Sequence, residues 1–183
     1  MALLHTPLKD ETLIAPDFKL KNIDGKFLTY NDIKGEKGTV IAFICNHCPY
    51  VQAIIERFVQ DAQTLQDLGI GVATIMPNDT GNYPADSQEN MVLFAEENGF
   101  NFPYLIDETQ DVAKSYDAVC TPDIFGFNVD GQLQYRGRLD SAGPNEADAN
   151  TVKELVNAMT KIAQDGTGPA EQTPSMGCSI KWK

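Results

Sequence analysis

Two uninterrupted apolar runs enclose one helical stripe, and this arrangement limits the possible folds more than any other feature of the chain. Val40, Ile41, Ala42, Phe43 and Ile44 form the first run, and residues 70–75 form the second. A run without polar alternation marks a strand buried on both faces. Between the runs, Val51, Ile54, Ile55, Phe58, Val59, Ala62, Leu65 and Leu68 recur at steps of three and one. That spacing lays one apolar face along a helix over 48–68, which Gly69 closes as its C′ residue. Strand, helix and strand in this order make a parallel crossover unit.

The rest of the chain keeps the alternation. Residues 17–30 read as a hairpin around Asp24 and Gly25, a pair favoured in type I′ turns. Asp86 or Ser87 starts a helix that runs to about Glu97 and stops at Asn98 and Gly99. Residues 103–107 form a short strand and 111–116 a short helix. Residues 123–129 and 132–136 form two strands joined by Asp130 and Gly131. Asn150 is expected to cap a last helix that carries Val152, Leu155, Val156, Met159 and Ile162 and ends at Gly166. This order predicts an α/β fold with a parallel core and antiparallel strands at one side of the sheet. A doubly wound nucleotide-binding fold would need a glycine-rich turn after the first buried strand. The turn there is Cys45, Asn46, His47, Cys48 and Pro49. One domain is expected over 1–183, with a core of about 15–165. The tail, 166–183, holds Pro169, Pro174 and Gly177 and is expected to be mobile unless Ile180 and Trp182 dock it.

Charge narrows the partners. The chain has 14 Lys and Arg against 26 Asp and Glu, a net charge of −12, which repels phosphate backbones and anionic lipid. Neither nucleic acid nor a membrane surface is expected as a partner. Residues 1–7 have no basic, apolar leader pattern, and the longest uncharged apolar stretch, 39–45, is strand-sized. Four cysteines do not make a secreted disulfide framework, so a reducing, cytoplasmic location is expected. In that setting closely spaced cysteines serve catalysis or metal binding.

Cys45 and Cys48 stand where a buried strand becomes a helix. The free N–H groups and the dipole of a helix start favour a thiolate, the form that attacks disulfides and peroxides. A protonated His47 between the two adds positive charge. Pro49 has no N–H and must fall in the first helical turn, which makes Cys48 the N-cap and Pro49 the N1 residue. Cys48 is therefore expected to be the more acidic thiol, its sulfur accepting from the amides of Tyr50 or Val51. Two other readings stand beside this one. In one, both cysteines are inert core thiols. In the other, Cys45, Cys48 and His47 hold a soft metal ion.

The Cys45-to-Cys48 motif after a buried strand, with Thr121 and Pro122 before the closing hairpin, resembles the thioredoxin fold over residues 15–164. Asp17, Phe18, Lys19 and Leu20 followed by a hairpin resemble the peroxiredoxin-related AhpC/TSA branch. The run from Cys45 to Val51, with Asn78-Asp79, Tyr83-Pro84, Asp86-Ser87 and Cys120 to Asp123, resembles a bacterial subgroup of thioredoxin-like redoxins. The resemblance implies a thioredoxin-like three-layer α/β/α sandwich with a mixed central sheet and an N-terminal β-hairpin extension. It implies a cis Pro122 packed beside the cysteine pair, with the backbone of Thr121 available to a substrate chain. The implied activity is thiol–disulfide exchange through a mixed disulfide. Its substrate is a protein or small-molecule disulfide, its electrons come from an external thiol reductant, and it needs no bound cofactor. A thiol peroxidase is the alternative, with Cys48 oxidised to sulfenic acid and then condensing with Cys45 or Cys178, and with Arg136 or Arg138 as candidate arginine. A non-enzymatic metal- or haem-handling protein is the second alternative. Cys120, Asn78 and Asp79 are accessory candidates, and His5 is expected to be an exposed terminal residue.

Overall fold

In the computed structural model, which describes residues 2–183, the side chains of one central strand divide the protein into its layers. In chain order the elements are β1 (Leu3–His5), β2 (Lys19–Asn22), β3 (Phe27–Thr29), α1 (Tyr30–Ile33), β4 (Thr39–Phe43), α2 (Pro49–Asp67) and β5 (Gly71–Met76). A 3₁₀ turn (Pro84–Asp86) leads to α3 (Gln88–Glu97), β6 (Tyr104–Ile106), α4 (Asp111–Ser115), β7 (Cys120–Thr121), β8 (Asp123–Phe127), β9 (Leu133–Arg136), α5 (Glu154–Asp165) and β10 (Met176–Ser179). Successive side chains of a strand point to opposite faces. Val40 and Ala42 of β4 therefore join a core with α2, α3 and α5. Ile41 and Phe43 join a second core with Ile33 of α1 and with Ala113 and Tyr116 around α4. The result is the thioredoxin-like three-layer α/β/α sandwich.

The main sheet has seven strands in the order β3-β2-β6-β5-β4-β8-β9. Strands β4, β5 and β6 run parallel. β8 and β9 are antiparallel at one flank. The N-terminal hairpin is antiparallel at the other, because β2 pairs with β6. The antiparallel strands thus lie at both sides of the sheet and not at one.

Both hairpins sit where the sequence places them, but their turns are not type I′. Only the glycines are left-handed, Gly25 at φ 86° and Gly131 at φ 76°. Asn22 donates to Lys26 O at 2.7 Å and Gly25 donates to Asn22 O at 2.9 Å. Asn128 and Gly131 repeat the pattern. This is a type I turn closed by a glycine bulge. The Asn128 side chain favours it by accepting from the amides of Asp130 and Gln132.

Helix α2 keeps the predicted stripe, with Val51, Ile54, Ile55, Phe58, Ala62 and Leu65 buried, Cys48 as N-cap and Pro49 at N1. Helix α5 starts later than its sequence suggests. Its N-cap is Lys153, not Asn150. The loop after β9 claims the backbone on both sides of that start: Val152 N donates to Ser141 Oγ at 2.8 Å, and Leu155 N, in the first turn of the helix, to Leu139 O at 3.0 Å. Ser87 caps α3 and leaves Asp86 free to turn inward.

The tail is an ordered element. β10 pairs with β1 on one side and β7 on the other, forming a second, three-stranded sheet. Ile180 is buried in the second core. Lys181 N donates to Asn78 Oδ1 at 2.9 Å, and Gln110 Nε2 donates to Lys181 O at 2.9 Å. Among the described residues, no helix is long and apolar enough to cross a membrane.

Candidate active site

Strand β4 ends at Phe43, and the next five residues turn the chain into α2. Cys48 occupies the N-cap in an extended conformation (φ −73°, ψ 119°), as a residue before proline must. Its sulfur does not cap the helix amides. It points instead at Thr121 O, 3.0 Å away. Cys45 Sγ shares a hydrogen bond of 3.3 Å with Thr121 Oγ1. The Thr121–Pro122 peptide bond is cis. Both cysteines therefore meet at one residue of β7, at the same end of the sheet.

The two thiols differ in acidity. A hydrogen bond from the Cys45 thiol favours the Cys48 thiolate and, outweighing burial, holds the Cys48 pKa well below the ordinary thiol range. The thiol and amide of Cys178 act in the same direction. The Thr121 carbonyl opposes them, because only a protonated Cys48 can donate to it. The donors outnumber it, and Cys48 is the more acidic of the pair. Cys45 is raised by giving its proton to that same bond, then by burial and by the nearby Asp86 carboxylate. Burial pushes Cys120 up and Cys178 up to about 11.

Asp86 organises the loop between the cysteines. Its carboxylate is wholly buried and accepts from Asn46 N at 2.9 Å and from Asn78 Nδ2 at 2.8 Å. His47 Nδ1 lies 2.8 Å from the same carboxylate, but out of line for a hydrogen bond. The His47 ring stacks on Tyr83 with centroids 5.8 Å apart, at the exposed rim of the site. Asn46 is pinned further by Tyr104 Oη, which donates to its Oδ1 at 2.9 Å. Sequence reasoning offered Asp86 as a possible helix cap and as part of a redoxin-like motif, without a role in the site. The available signal was its place beside Ser87, the better N-cap, which left Asp86 without a capping task.

The other candidates fall into two groups. Asn78 serves Asp86 and the tail, and Asp79 closes its own turn by accepting from Gly81 N and Asn82 Nδ2. Cys178 sits in the core cluster that holds Cys45 and Cys48. Cys120 is buried and turns to Pro122 O at 3.6 Å. The arginines are committed elsewhere. Arg136 is buried, pairs with Asp123 at 2.9 Å and lies over the Phe125 ring. Arg138 pairs with Glu154 at 2.7 Å. His5 belongs to exposed β1. Cys45 Sγ, a ring nitrogen of His47 and an Asp86 oxygen lie within 4.8 Å of one another, a donor set of the kind soft and borderline metals accept. Cys48, grouped with them on sequence grounds, turns away to Thr121.

A thioredoxin-like fold with two cysteines at the start of the helix that follows its central strand defines a redoxin. The family model of the AhpC/TSA family matches residues 13–136, and the chain belongs to that family. It is similar to the thiol-disulfide oxidoreductase ResA of Bacillus subtilis, with 25% identity over 126 residues. That match covers 65% of this chain and 62% of the relative, so the chain spans less than two thirds of that protein's length. Two solved structures match over nearly their whole length. An uncharacterized conserved protein from Geobacillus kaustophilus is 43% identical with a TM-score of 0.93, covering 100% of this chain and 97% of its own. A hypothetical protein from Sinorhizobium meliloti is 33% identical with a TM-score of 0.90, covering 98% and 97%.

Proposed function

We propose that the protein is a thiol–disulfide oxidoreductase in which Cys48 attacks and Cys45 resolves. The observation that carries this reading is the convergence of both sulfurs on Thr121, with Cys48 at the N-cap of a long helix. The Cys48 thiolate attacks one sulfur of a substrate disulfide and expels the other as a thiolate. Cys45, as thiolate, then attacks the Cys48 sulfur of the mixed disulfide. Cys45–Cys48 becomes oxidised, the second substrate thiol leaves, and an external thiol restores the pair. His47 stays positioned by Asp86 and Tyr83 at the entrance. The reading takes a protein or small-molecule disulfide as substrate, a reducing compartment and no resident cofactor.

The test is turnover of a protein disulfide with dithiothreitol as electron source. Cys48→Ser is expected to fall to the rate of the reductant alone, and Cys45→Ser to turn over more slowly than wild type. Wild-type rates in both variants overturn the reading. A peroxidase assignment has weaker support, because the guanidinium groups of Arg136 and Arg138 are engaged by Asp123 and Glu154.

A further inference from the structure

The cysteine pair is closed off. Cys45 is 1% exposed and Cys48 wholly buried, although thiol exchange requires a partner sulfur to reach one of them. Part of the cover is β10, and it carries a thiol of its own. We propose that Cys178 is a third redox thiol of this site, closing a disulfide with Cys48 while β10 holds the edge of β7. The proposal rests on the oxidoreductase reading above and adds a residue to it.

Register places Cys178 directly opposite Thr121, the residue that both Cys45 and Cys48 touch. Residues opposite each other in an antiparallel pair project their side chains to the same face. The Thr121 side chain meets Cys45, so the Cys178 thiol faces the pair, and it belongs to the same core cluster. The strand lies tight against β7. A Cβ on Gly177 would lie 2.0 Å from Thr121 O and 3.0 Å from Pro122 N, so only glycine permits this approach. Ser175 Oγ donates to Pro122 O at 2.9 Å and anchors the strand just before it. By pairing with β7, β10 takes the backbone groups that an incoming extended chain would need for strand addition.

The chemistry balances within these groups. The Cys48 thiolate attacks a disulfide R–S–S–R′, forming Cys48–S–S–R and releasing R′S⁻. The Cys178 thiolate then attacks the Cys48 sulfur, breaking the S–S bond of the mixed disulfide and releasing RS⁻. Two protein thiols lose two electrons, the substrate gains them, and the two protons leave with the two product thiols. The resulting Cys48–Cys178 bond fastens β10 over the site until an external thiol, or Cys45 attacking Cys48, releases it.

Oxidised glutathione is the probe. Reduced full-length wild type, Cys45→Ser and Cys45→Ser/Cys178→Ser are mixed with it, quenched in acid, digested without reductant and mapped by mass spectrometry. Cys45→Ser is expected to lose two hydrogens and yield Cys48 linked to Cys178, with only a transient glutathione adduct. The double variant is expected to retain the adduct on Cys48. Wild type is expected to yield Cys48–Cys178 alongside Cys45–Cys48, which keeps the test valid if Cys45→Ser misfolds. A persistent adduct on Cys48 with Cys178 still free in Cys45→Ser overturns the proposal and leaves the oxidoreductase reading standing. Absence of both adduct and protein disulfide in every variant overturns both. Gly177→Val supplies a positional control. Displacing β10 is expected to abolish the Cys48–Cys178 link while the Cys45–Cys48 disulfide still forms, and retention of the link counts against the strand's role.

Discussion

Cys48 owes its acidity chiefly to one neighbour, which separates two substitutions that look alike. The largest influence lowering its pKa is the hydrogen bond from Cys45. A serine at 45 still donates to a thiolate, whereas an alanine cannot. A depressed pKa means that the thiolate persists at neutral pH and is lost only as pH falls through the lowered value. Alkylation of Cys48 by iodoacetamide, followed by peptide mapping, is therefore expected to titrate below the ordinary thiol range in wild type and in Cys45→Ser. In Cys45→Ala the midpoint is expected to rise, and an unchanged midpoint there denies Cys45 its role. At this scale the sequence was legible wherever the constraint is local. Pro49 acts on the residue before it, so Cys48 could be placed at the N-cap from sequence alone. The direction of its sulfur could not, because Thr121 O approaches from 73 residues away. Asp86 escaped for the same reason: it reaches Asn46 across 40 residues.

Elements were legible in proportion to their length and periodicity. The long stripe of α2 and the apolar runs of β4 and β5 are found where their patterns lie. The strands of the small sheet carry two to four residues each, too few to show a period, and their pairing partners are distant in the chain. For α5, propensity favoured a start near Asn150, but the Ser141 and Leu139 contacts override it. The docking of the last segment is testable through Ile180, which is 3% exposed in a core with Phe43 and Tyr116. Ile180→Ala is expected to cost the docked state about 2–4 kcal/mol. Because about 1.4 kcal/mol is tenfold in an equilibrium, Cys48 in the folded protein should then label at least about tenfold faster. An unchanged labelling rate means that access to the thiol does not depend on this anchor.

The molecule as a whole carries a net charge of −12, and that field acts on any charged disulfide before contact. Oxidised glutathione is anionic and cystamine cationic, so their reaction rates should respond oppositely to salt. Raising ionic strength toward 0.15 M, where screening acts beyond about 8 Å, is expected to speed reaction with the first and slow it with the second. Reversed responses, slower with the first compound and faster with the second, would mean that the local potential at the entrance, near Lys181 and His47, outweighs the total, and rates that move together would mean that the charge of the disulfide does not set them. Fold class was legible at this scale because alternation of strand and helix survives without long-range detail. The closed state was not, since it depends on a short segment meeting β7 more than fifty residues earlier in the chain. That separation bears on how the protein is made. β10 follows every strand of the main sheet, so ribosomal synthesis completes the sandwich, with Cys45 and Cys48 in place, before its cover has emerged. Each nascent chain thus passes through an interval in which Cys48 stands open to the surrounding thiol pool, and it gains its cover only once β10 has been made.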